Sequence, residues 1–225
     1  VGNSTTAIGY QAFVSQNSDS DNEETGNTGV GRNVGYYNVT GQNNTYLGYN
    51  SGLGASGQSN SNNVGVGSNA LLAVTTGGNN VAVGTGALDA MTSGGENVAI
   101  GQNALGGVVT GAANVAIGRH AAVNFGAVET LNIAIGYHCM ASFDEGSGGH
   151  VNSNIAMGQE TFSGADLGSA STTVSDNIAI GDFALNSTGT NAQVGTIAIG
   201  TSALTALTTG AGNTAVGYTA MTDVV

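Results

Sequence analysis

Asn97-Val98-Ala99-Ile100-Gly101 returns seventeen residues later as Asn114-Val115-Ala116-Ile117-Gly118, and again as Asn177-Ile178-Ala179-Ile180-Gly181. Aligning the chain on the glycine of this phrase gives twelve copies: Gly9, Gly31, Gly48, Gly67, Gly84, Gly101, Gly118, Gly136, Gly158, Gly181, Gly200 and Gly217. Their spacings are 22, 17, 19, 17, 17, 17, 18, 22, 23, 19 and 17. A base period near 17 with loop-sized insertions predicts a solenoid, because each coil must return to the same point above its neighbour.

The columns of the repeat carry physical meaning. The residue before each glycine is Ile, Val, Leu or Met, from Ile8 to Val216, and two positions earlier stands Thr, Val or Ile in every copy. Ala or Gly lies between them in eleven copies, with Tyr46 the exception. Period-two alternation of this kind predicts a short strand with the aliphatic residues on one face and Ala on the other. Four residues before the glycine stands Asn27, Asn44, Asn63, Asn80, Asn97, Asn114, Asn132, Asn154, Asn177 or Asn213, with Thr5 and Thr196 in the other two copies. Stacked Asn side chains can hydrogen-bond from coil to coil, as amide ladders do in cross-β stacks.

After the glycine a second apolar pair recurs, as in Ala70-Leu71, Ala87-Leu88, Ala104-Leu105, Ala184-Leu185 and Ala203-Leu204, followed by turns rich in Thr, Ser and Gly. Each coil therefore reads as strand, Gly corner, second short strand and polar turn. The fold class expected is all-β, a parallel β-solenoid of about twelve coils of about 17 residues. A rise of about 4.8 Å per coil gives a rod roughly 50 to 60 Å long. The repetition runs nearly end to end, so residues 1–225 read as one solenoid domain.

Composition narrows the function. The 225 residues include 39 Gly, no Pro and no Trp; charged residues are 7% and hydrophobic ones 40%, the opposite of a disordered chain. Arg32 and Arg119 are the only cations among Lys and Arg, against 14 carboxylates, for a net charge of −12. Nucleic acid and anionic membrane surfaces both demand the opposite charge. No apolar stretch reaches the roughly 20 residues that span a bilayer, so no membrane insertion is expected of this segment. Cys139, the single cysteine, reads as a small buried side chain. No cofactor is expected. The chain opens on Val1-Gly2-Asn3 and stops within a further repeat, which reads as a piece of a longer fibre.

The phrase at residues 97–101, 114–118 and 177–181 resembles the head repeats of YadA-type trimeric autotransporter adhesins. Asn213-Thr214-Ala215-Val216-Gly217-Tyr218-Thr219-Ala220-Met221 resembles the repeat arrays of bacteriophage tail fibres. The likeness covers residues 5 to 221. It implies a left-handed β-roll, a side-by-side homotrimer and a receptor-binding surface, in an extracellular setting on a virion tail fibre or a bacterial cell surface. The 17-residue period is longer than that of the adhesin heads and brings the tail fibre closer.

A trimer also fits the physics of a small coil, which has few large apolar side chains to offset its backbone entropy. The Ala stripe would let another sheet approach closely, either from the same coil or, the reading preferred here, from a neighbouring chain. The function expected is a structural and adhesive fibre segment, a phage tail fibre attaching to host cell-surface glycan or to a protein receptor. The rivals are a bacterial trimeric adhesin, a structural filament without a receptor and, least favoured for want of regular Thr-x-Thr ladders, an ice-binding face.

Candidate contact residues stand just after the glycine: Tyr10, Arg32, Tyr49, Arg119, Tyr137 and Tyr218. Tyr and Arg are favoured contact types, although a corner that merely tolerates long side chains would collect them too. Asp19, Asp21 and Glu23 alternate as ligands of a hard cation do, but a solvated acidic loop is the simpler reading. His120 and His138 occupy equivalent positions in adjacent coils, which is more simply a surface pair than a metal site. Asp144, Glu145 and His150 share an insertion without a spacing that specifies catalysis, and no enzyme is expected. The sequons at Asn3, Asn38, Asn43 and Asn186 follow from an Asn- and Thr-rich composition.

Overall fold

A computed structural model describes residues 4–17, 24–143, 150–164, 173–186, 192–207 and 210–222. Each copy of the repeat contributes one three-residue strand, and these strands form a single parallel sheet. In chain order they are β1 (Thr6–Ile8), β2 (Thr28–Val30), β3 (Thr45–Leu47), β4 (Val64–Val66), β5 (Val81–Val83), β6 (Val98–Ile100), β7 (Val115–Ile117), β8 (Ile133–Ile135), β10 (Ile155–Met157), β12 (Ile178–Ile180), β14 (Ile197–Ile199) and β15 (Thr214–Val216). The three strands β9 (His150–Asn152), β11 (Thr173–Ser175) and β13 (Gln193–Val194), from the longer coils, make a second parallel sheet. Register is column on column throughout, so Val98 pairs with Val115, Ala99 with Ala116 and Ile100 with Ile117. The chain is a parallel β-solenoid. Among the described residues no helix is long and apolar enough to cross a membrane.

The corner glycines are fixed by both conformation and space. Gly101 has φ of +133°, and a Cβ there would lie 2.4 Å from the carbonyl oxygen of Gly118 in the next coil. The column repeats this geometry down the stack, so any other residue meets both left-handed strain and a backbone clash.

The sheet faces the opposite way from the expectation. Ala82, Ala99, Ala116, Ala156, Ala179 and Ala198 are wholly buried, whereas the aliphatic residues on either side of them point outward. In the column before the glycine Val66, Val83 and Ile135 are half-buried by their neighbours along the stack, and the other nine are exposed, from 36% at Ile117 to 68% at Val216. The close approach that the Ala stripe permits is thus within the coil. It receives side chains from the far wall, including Leu71, Leu88, Leu105, Leu185 and Leu204. Those residues fill the interior and leave room only for a methyl group on the strand.

That far wall is not the second strand expected. Leu71, Leu88, Leu105, Met140, Phe162, Leu185 and Leu204 all have φ between 49° and 55°, and the segment is a run of turns. Coil-to-coil hydrogen bonding continues through it nevertheless: Leu71 N–H donates to the Ala87 carbonyl at 3.0 Å, and Leu88 N–H to that of Ala104 at 3.1 Å. No Val, Ile or Thr occurs at this position in any copy, since a Cβ branch is strained at positive φ.

Tyr46 shows how volume is shared between columns. It takes the place of Ala, and the facing residue in its own coil is Gly52 in place of Leu; a Cβ on Gly52 would stand 2.3 Å from the Tyr46 ring. The Tyr46 hydroxyl donates to Asn60 Oδ1 at 2.5 Å, and the ring stacks on Phe13 with centroids 6.1 Å apart. Phe13 in turn occupies the space left by Gly29 and Gly35.

The Asn ladder runs inside the wall. From Asn44 to Asn177, each Asn donates both its backbone N–H and its Nδ2 to the Oδ1 of the preceding Asn; Asn80 does so to Asn63, both at 3.0 Å. A further Nδ2 hydrogen goes to a carbonyl of the turn, as from Asn97 to Gly111 at 2.9 Å. Asn27 anchors the row with a bond to the Gly41 carbonyl. Thr196 interrupts it. Its N–H donates to Asn177 Oδ1 at 2.9 Å, but its buried hydroxyl has no hydrogen-bond partner among the described residues. Asn213, half-buried, lies beyond the break.

Candidate functional site

The residues after the corner glycines project from the edge of the sheet, and the structure sorts them into two groups. Arg32 lies between the rings of Tyr10 and Tyr49, its Cζ 5.6 and 5.9 Å from their centroids. Arg119 stacks on Tyr137 of the next coil at 5.8 Å. Tyr218, 80% exposed, closes the column at the far end. In-register stacking explains both clusters, because the same column in adjacent coils lies one strand spacing apart. Both arginines thus stack on tyrosine faces, at separations typical of a cation–π contact.

Around the first cluster the surface is concave. A cleft of about 300 Å³ is lined by Gln11, Asn33, Tyr36, Tyr37, Tyr49, Asn50 and Leu53. Tyr36 and Tyr37 meet edge to face, with centroids 4.5 Å apart and planes at 72°, and so form a corner. Asn33 Nδ2 donates to Asn50 Oδ1 at 3.1 Å, and Asn50 Nδ2 to Asn69 Oδ1 at 3.4 Å, a second and outer amide row. Asn33 Oδ1 is buried and accepts no hydrogen bond among the described residues. Tyr36 and Tyr37 belong to no recurring column, so the alignment on glycines passes over them. A larger hollow of about 650 Å³ lies beside Phe125 and Ala127. Among the described residues its lining offers only Asn124 and Ser142 as polar side chains, too few to fix a ligand's orientation.

His120 and His138 do come together. His120 Nδ1 and His138 Nε2 share a hydrogen bond at 2.9 Å, and the rings are 4.8 Å apart. Burial holds the His120 pKa below the ordinary value, reinforced by the charges of His138 and Arg119. Among the described residues no group of three or more His, Cys, Asp or Glu could hold a metal ion. Asp19, Asp21, Glu23, Asp144 and Glu145, with the sequon acceptor Asn3, lie outside the described residues. Asn38 is fully buried and bonded to the backbone of Gly41, which closes that sequon to glycosylation in the folded chain. Cys139 is buried as expected, donates to the Ala156 carbonyl, and has its thiol pKa pushed up to about 12 by burial.

The other surface with chemical character is the outward face of the long sheet. It comprises two columns, Val64 to Ile197 and Ile8 to Val216, in which every residue of the long sheet from β4 to β14 is Val or Ile except Met157; Thr replaces the first column at Thr6, Thr28, Thr45 and Thr214. No charge interrupts it. Twelve rungs at about 4.8 Å, two side chains wide at about 3.3 Å per residue, give a strip on the order of 400 Å² in projection. Fold and surface together define the chain as a parallel β-solenoid repeat protein with an uncovered apolar face. Comparison with protein-family models, with curated proteins and with solved structures finds no match.

Proposed function

We propose that the chain is a structural and adhesive fibre segment, a solenoid rod that assembles side by side with two further copies and carries a surface for attachment to cells. The observation that supports this reading best is the aliphatic strip. A chain with net charge −12 repels its own copies everywhere except where charge is missing, and the strip is uncharged along the whole sheet. A face of this size matches the largest apolar patch of a typical monomer, a patch that often serves an interaction. It repeats with the coil, and a second copy of the rod matches it in length and spacing. Threefold symmetry and the extracellular setting rest on the resemblance to tail fibres and adhesin heads. The period near 17 favours a phage tail fibre over a bacterial surface adhesin.

Attachment is the adhesive half of the proposal, with glycan or a protein receptor as partner. Assembly would present each contact cluster three times, and multivalent display raises avidity by about 10²–10⁴-fold. The test pairs Ile100→Asp with Ile117→Asp, two outward residues whose replacement leaves the interior untouched. Labelled protein is applied to a panel of bacterial strains, and its mass is followed in parallel. The double variant should fall to the mass of a single chain and lose attachment. Retention of both mass and attachment removes the strip from the assembly. Failure of the unaltered protein to bind any strain returns the chain to the receptorless filament.

A further inference from the structure

We propose that the open cleft lined by Tyr36, Tyr37, Tyr49, Asn33, Asn50 and Gln11 binds a pyranose ring. The proposal deepens the attachment reading and rests on it.

Three features of the cleft point to a sugar. Its volume of about 300 Å³ is at the lower end of small-ligand sites, which suits a single ring or a short oligosaccharide. Three tyrosines line it, and the rings of Tyr36 and Tyr37 meet at 72°. Pyranoses pack their C–H faces on aromatic rings and direct hydroxyls sideways. The polar lining includes the amides of Gln11, Asn33 and Asn50, which both donate and accept as sugar hydroxyls do. Among the described residues no carboxylate lines it, which suits a hydrogen-bonding partner such as a sugar.

One amide beside the cleft keeps an unpartnered oxygen among the described residues. Asn33 Nδ2 is committed to Asn50, which fixes the amide orientation and leaves Asn33 Oδ1 without a donor. Other amides in the interior rows find partners for their oxygens in the next coil. Arg32 stacks on the Tyr49 ring at 5.9 Å.

The test uses the whole chain in its native assembly on a printed array of neutral and acidic oligosaccharides. The tightest ligand is then titrated and examined by saturation-transfer NMR. Binding should be found, with the strongest saturation on ring C–H protons. The joint change Tyr36→Ala and Tyr37→Ala should weaken it at least tenfold, while Tyr36→Phe with Tyr37→Phe, which keeps both ring faces, stays within about threefold. Equal mass and circular dichroism for all proteins establish that each is folded. An array without a binder, or a ligand indifferent to the Ala pair, overturns the assignment of this cleft. Cell attachment that survives the Ala pair leaves the adhesive reading standing and places its contact elsewhere.

Discussion

Replacing Asn97 with Leu removes one rung of the buried ladder while nearly conserving volume. Asn97 Oδ1 accepts from the Asn114 backbone N–H at 3.0 Å and from Asn114 Nδ2 at 3.1 Å. Its Nδ2 donates to Asn80 Oδ1 at 3.1 Å and to the Gly111 carbonyl at 2.9 Å. Asn114 Nδ2 keeps a bond to the Glu129 carbonyl, and Asn80 Oδ1 keeps the backbone N–H of residue 97. Two groups are therefore orphaned in the interior, the Asn114 N–H and the Gly111 carbonyl. At about 1–3 kcal/mol for each unsatisfied buried group the gross cost is about 4 kcal/mol, and burial of the new methyl groups returns part of it. A net loss of about 3 kcal/mol per chain is expected. Urea unfolding at fixed protein concentration measures it, with hydrogen exchange at the Asn114 amide as the local reading. The exposed change Asn124→Leu should stay within about 0.5 kcal/mol. A loss below about 1 kcal/mol with undiminished protection at Asn114 would refute the view that the ladder stabilises the stack.

The converse change, Thr196→Asn, gives the buried position a donor toward Asn177 Oδ1 and an acceptor toward Asn213; it should raise stability by about 1–2 kcal/mol in the same urea assay. Tyr46→Ala should cost about 3–5 kcal/mol by opening a cavity. Gly52→Leu should be destabilising through overpacking, yet the two together restore the Ala-and-Leu pairing of other coils, so a double-mutant cycle should return a favourable coupling of about 2 kcal/mol. His120 has a depressed pKa, so below its ordinary value of 6.5 the unfolded chain binds a proton that the folded chain resists. Stability from this group is present above that pH and is lost as pH falls toward the folded value. His120→Asn, which matches Asn103 in the preceding coil, should flatten that acid limb in thermal melts run from pH 7 downward, because proton uptake on unfolding is reduced.

Much of the fold was legible because a solenoid repeats its constraints. The glycine column, the strand and the ladder positions are each fixed by a requirement that every coil meets, and the structure places them as the alignment did, apart from the interruption at Thr196. The orientation of the sheet was not legible from hydrophobicity alone. Val and Ala both suit an interior, and what decides between them is the width of the coil, which Leu71 and its equivalents already fill. Two signals were available: the exclusion of Cβ-branched residues from that Leu position, which points to positive φ, and the pairing of Tyr46 with Gly52, which marks the Ala column as interior. Of the contact column, the sequence identified the members but not their grouping into Tyr10–Arg32–Tyr49 and Arg119–Tyr137. Tyr36 and Tyr37 were missed because they occur in one coil only, and a method built on recurrence cannot weight a single instance.

Whether the outward aliphatic face is covered by further copies of the chain is settled most directly by the mass of the unaltered protein in solution, by light scattering under native conditions. Assembly through that face predicts one species at three times the 21.9 kDa of the chain. A monodisperse solution of single chains, with Ile100 and Ile117 left in water, would contradict it.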